Sequence, residues 1–80
     1  MPIEKIVAIE KIDSEIKRLK KMWLAACFAH SVEGMAINYS IMEYLISLKR
    51  DLGLIPDSRY ITEIADLSCW RKETYGIVGF

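Results

Sequence analysis

Ile9-Glu10-Lys11-Ile12-Asp13-Ser14-Glu15-Ile16-Lys17-Arg18-Leu19-Lys20-Lys21-Met22-Trp23-Leu24-Ala25-Ala26 is the stretch whose reading decides the fold. Its apolar residues recur at alternating steps of three and four: Ile9, Ile12, Ile16, Leu19, Trp23 and Ala26. That spacing draws one stripe along an α-helix. Glu4, Lys11, Asp13, Lys17, Arg18, Lys20 and Lys21 fill the opposite face. A helix with such a stripe is built to bury it against other helices. Pro2 suits a first helical turn, where its missing N–H costs nothing. The early acids and the later Lys17 to Lys21 match the helix dipole. The pattern predicts helix 1 over residues 3–31, with Gly34 as the first interruption.

Beyond it, Ser40 and Glu43 have the spacing of a capping box ahead of an apolar run. Ile41, Leu45, Leu48 and Leu52 form a second seam. Gly53 stands where a left-handed cap is expected, and Pro56 prevents continuation. Helix 2 is therefore expected over 41–52. Asp57 or Ser58 can cap a third helix. Tyr60, Ile61, Ile64, Ala65 and Leu67 give it an apolar face, and Gly76 ends it. Helix 3 is expected over 58–74. The alternation that strands require is absent. The sequence thus predicts one all-α domain, 1–80: a compact three-helix unit completed by homo-oligomeric packing.

The expectation of an oligomer comes from composition. The eighty residues are 52% apolar, with two Trp, four Tyr, two Phe, four Met and a dozen Ile. A core this small cannot hide them all, and the surplus belongs on a surface that meets a partner. A homo-oligomer is expected, a dimer before other states, or else an obligate protein partner.

Net charge is zero. The first 31 residues carry an excess of two positive charges and the remainder an excess of two negative ones, too little to drive phosphate binding. Two cysteines, Cys27 and Cys69, are too few for a disulfide framework. Acids interrupt the amino-terminal stretch where a secretion signal needs an apolar run. The longest uncharged run, Met22 to Val32, is too short to span a bilayer. A cytoplasmic protein without a membrane span is expected.

Few residues suggest chemistry. Cys27, His30 and Glu33 could share a helix face, and Cys69 could complete a zinc set. The paired-cysteine clusters of zinc sites are missing, so neither metal nor other cofactor is expected. No glycine-rich elbow or phosphate loop appears, and no carboxylate pair stands out. Non-enzymatic function is expected.

Residues Ile9 to Leu19 resemble the opening of the all-helical chorismate mutase family, and Ile55-Pro56-Asp57-Ser58-Arg59 resembles its connection into a later helix. The family places a catalytic arginine four positions after the residue matched by Leu19. Trp23 stands there, so no active-site residue carries over. What the resemblance implies is helical dimers that share their cores. Leu52-Gly53-Leu54 with the following cap and Tyr60-Ile61 resembles the turn of a helix-turn-helix. Lys49 departs from that motif, because the position calls for a small buried residue. On this alternative, nucleic acid would be met by Lys49, Arg50 and Arg59, although Glu63 and Asp66 would repel phosphates.

Trp70, Tyr75 and Phe80 cluster near the end of the chain, where little sequence remains to cover them. Together with Trp23 they are the expected partner interface. The sequence therefore reads as a small adaptor, inhibitor or modulator, in the style of a phage or mobile-element accessory protein. A small-ligand-binding helical oligomer is a further alternative.

Overall fold

The computed structural model of the chain describes residues 2–78. Three helices follow one another: α1 (Ile3–Phe28), α2 (Val32–Asp51) and α3 (Asp57–Val78). They run up, down and up, and the molecule measures 42 × 20 × 17 Å. The long dimension matches α1, whose 26 residues span about 39 Å.

The three-helix expectation holds, and the boundaries differ for local reasons. Helix 1 stops at Phe28, not at residue 31, because His30 turns left-handed at φ 54°. His30 N–H donates to Cys27 O and Ser31 N–H to Ala26 O, the paired bonds of a Schellman cap. A histidine there gives no glycine-like signal in the sequence. Ser31 then caps α2: its Oγ accepts from Gly34 N–H at 3.1 Å. Helix 2 thus begins at Val32 rather than 41, and the Ser40–Glu43 pair lies inside it. Gly34 does not interrupt a helix. A Cβ there would stand 3.0 Å from Ala26 Cβ and 2.9 Å from Ser31 Oγ, so its hydrogen lets α1 and α2 meet closely at the turn.

The stop after α2 is as expected. Gly53 has φ 71°, its N–H donates to Arg50 O, and Leu54 N–H donates to Lys49 O. The carbonyl of Pro56 accepts from Arg59 and Tyr60, so the proline opens α3. Gly76 does not end α3, which continues to Val78.

Leu19, Trp23 and Cys27 of α1, Met35, Met42 and Ile46 of α2, and Leu67 of α3 form the core. The carboxy-terminal half of the helix 1 stripe is thus covered within the chain, while Ile3, Ile6 and Val7 remain exposed. The predicted helix 2 seam is displaced by about one position. Met42, Ile46 and Lys49 face inward, whereas Ile41 and Leu52 are exposed. Lys49 lies on that inward face beside the apolar side chains, its ammonium paired with the carboxylates of Asp13 and Glu63.

Among the described residues no helix is long and apolar enough to cross a membrane.

Candidate interaction surface

The expected aromatic patch turns out to be layered. Trp23 is 1% exposed and belongs to the core. Trp70 and Tyr75 both meet it edge-on, with ring centroids at 5.0 and 5.3 Å. Both are half-buried, and they close the bundle end where α1 finishes. Such contacts add about 0.5–1.5 kcal/mol each beyond burial. Lys20 Nζ lies 5.2 Å from the Trp70 ring. Phe80 lies outside the described residues.

Beside these rings a cleft of about 600 Å³ opens between α2 and α3. Trp23, Met35, Tyr39, Ile64 and Tyr75 line it with apolar surface, and Glu43 and Arg71 stand in it as charges. The Arg71 guanidinium lies 4.1 Å from the Tyr39 ring centroid. Among the described residues it has no carboxylate within ion-pair distance.

The residues considered for nucleic acid are engaged elsewhere. Lys49 is 2% exposed and bonds Asp13 at 2.7 Å and also Glu63. Glu63 further accepts from Arg59 at 3.0 Å. One buried ammonium thus ties all three helices together. Burial alone would lower the Lys49 pKa, but the hydrogen bonds to Asp13 and Glu63 outweigh it and hold the pKa above 10.5. Arg50 lies 4.0 Å from the Tyr60 ring and pairs with Asp51. Lys49 therefore cannot reach a phosphate, and Arg50 and Arg59 are each held beside an acid.

The metal candidates separate too. Cys27 is buried in α1, Cys69 is exposed on α3, and His30 sits in the turn, off the helix that was to align it with Cys27. Among the described residues no group of three or more His, Cys, Asp or Glu is placed to hold a metal ion.

What the sequence reading missed is the outer face of α2. Ile37, Ile41, Tyr44 and Leu52 are 59%, 40%, 63% and 58% exposed, and Leu48 between them is half-buried. Their spacing of four, three, four and four is that of a helix-packing seam. The opposite face of the same helix supplies Met35, Met42 and Ile46 to the core. A helix apolar on both faces is suited to an interior position. Phe28 and Val32, exposed by 65% and 68%, add apolar surface at the α1–α2 turn. The signal was present in the sequence, since these side chains are all apolar. A helix taken to begin at residue 41 leaves out Ile37 and makes a packing seam of Ile41, Leu45, Leu48 and Leu52, which conceals that stripe.

Compared with known proteins, the chain matches no family, and neither its sequence nor its fold has a significant counterpart among curated proteins or solved structures.

Proposed function

We propose that this chain is a non-enzymatic protein-interaction module that docks through the outer face of α2. The observation that carries the reading is the double-sided apolar character of α2 in a fold that covers only one side. Contiguous apolar surface of this kind marks protein contacts more often than chance exposure does. The roles of adaptor, inhibitor or modulator, and an accessory role in a phage or mobile element, belong to this same proposal.

The test is native mass spectrometry of untagged protein prepared gently from its own cells. A mass above the 9.2 kDa of one chain is expected, lost when Ile41→Lys and Leu48→Lys are combined in a variant of unchanged helicity. A bare single chain in both preparations would overturn the reading.

A second reading, a small ligand held between helices, is supported by the α2–α3 cleft and the guanidinium of Arg71, which among the described residues has no carboxylate within ion-pair distance. Thermal-shift titration with small aromatic carboxylates should then stabilise the protein, and Arg71→Ala should abolish the shift. No shift with any of them removes this reading.

A further inference from the structure

We propose that the occupant of the α2 outer face is a second copy of this chain, paired antiparallel across a two-fold axis at the level of Tyr44. The proposal rests on the docking reading above and names its partner.

The register follows from contacts within the chain. A Cβ at Gly34 would touch Ala26, Lys49 bonds Asp13, and Lys5 donates to Gly53 O. These pairs run antiparallel, so Tyr44 is level with residues 16–17 of α1. Asp13 and Lys20 of α1 turn toward α3, where they meet the Lys49–Glu63 pair and Trp70. Helical geometry then places Glu15, Arg18 and Met22 on the other flank of α1, beside the α2 stripe. Tyr39 and Lys49 of α2 likewise meet α3, which leaves Ile37, Ile41, Tyr44 and Leu48 on the side away from it. One face of the α1–α2 hairpin is thus covered by α3, and the other presents this stripe with one ion pair next to it.

That uncovered face is complementary to itself. A two-fold axis perpendicular to the helices at Tyr44 sets Ile41 against Leu48 of the second copy, and Ile37 against its Leu52. The same axis passes between Glu15 and Arg18, an ion pair whose side chains are 42% and 57% exposed. Each Glu15 then stands beside Arg18 of the other copy, and each Arg18 beside the other Glu15. Apolar positions and charges are satisfied by a single operation, as an isologous interface requires. Opposed α2 dipoles favour the antiparallel sense. The result is a four-helix layer of two hairpins, with each α3 and each α2–α3 cleft left on the outside.

Sedimentation equilibrium of the purified full chain tests this. The wild type should sediment at twice 9.2 kDa, and Ile41→Asp should return it to one chain. Glu15→Arg alone and Arg18→Glu alone should each weaken the dimer by roughly tenfold, and the double exchange should restore it. The within-helix pair alone would change helicity slightly and leave sedimentation unmoved. In a Cys69→Ser background, Ile41→Cys with Leu48→Cys should cross-link under mild oxidation and Ile41→Cys alone should not. Cross-linking by the single cysteine would show parallel pairing and overturn the proposal. A dimer indifferent to Ile41→Asp, or to the charge exchanges, would overturn it as well. A single chain at all concentrations would remove the second copy as occupant. The docking reading would then stand or fall separately on whether native extracts show another protein lost with the stripe.

Discussion

Removing the two acids around Lys49 should cost more than removing Lys49 itself, although the lysine is the buried member. Lys49 is 2% exposed, while the Asp13 and Glu63 side chains are 53% and 16% exposed. In Lys49→Met the aliphatic stem is kept, Asp13 turns to water and Glu63 keeps Arg59 at 3.0 Å. The loss should be about 1 kcal/mol, in the range of one net hydrogen bond. In the combined Asp13→Asn, Glu63→Gln variant a buried ammonium loses both counter-charges. Breaking a buried pair in that way costs about 3–5 kcal/mol. The amide oxygens still accept hydrogen bonds, which places this variant near the lower figure, about 3 kcal/mol. A domain of this length has only about 4–12 kcal/mol in total. Adding Lys49→Met to the two amides removes the stranded charge and should recover most of the loss. Urea titrations followed by far-ultraviolet circular dichroism, at one fixed protein concentration, measure all three. By the usual conversion for such a domain, the midpoint of heating should drop by about 4–8 °C for each kcal/mol. The reasoning is refuted if Lys49→Met is the most costly change, or if the triple variant is no better than the pair of amides.

The same ammonium predicts a pH dependence. Its folded pKa is raised above 10.5, so its stabilisation is complete below 10.5 and is lost as pH rises through the folded value. Melting temperatures should therefore fall more steeply in strong alkali for the wild type than for Lys49→Met; parallel curves would contradict this. Gly53→Ala meets no atom within 4 Å but must hold φ 71°, so it should cost about 1 kcal/mol by chemical denaturation from backbone strain alone. Ser31→Ala removes the acceptor of Gly34 N–H and should cost about 1 kcal/mol, with early loss of amide protection at the start of α2 in hydrogen exchange.

The stripe from Ile9 to Ala26, the Gly53–Pro56 stop and the absence of strand alternation were enough to read three helices from the sequence. Those signals are local: periodicity, left-handed glycine and proline act within a few residues. The α1–α2 turn was not legible, because His30 adopts a conformation that glycine usually marks and Ser31 caps without a glutamate three residues later. The apparent box at Ser40 and Glu43 has the right letters in the middle of a helix.

The candidate site divides in the same way. That this chain holds more apolar side chains than its core can take follows from composition alone. Which of them remain outside is a question of rotation about the helix axis. On α2 the inward face carries Met35, Met42 and Ile46 together with Lys49, whose ammonium meets carboxylates 36 residues before it and 14 after it, and Ile41, Tyr44 and Leu52 are left outward. Trp23, Trp70 and Tyr75 come together only because α1 and α3 run side by side. The sequence by itself determined the helices and the surplus of apolar surface, since both depend on neighbouring residues and on totals. The tertiary structure alone decided which face is left uncovered, since burial is shared among all three helices and the angle at which α2 presents itself depends on partners far away in sequence.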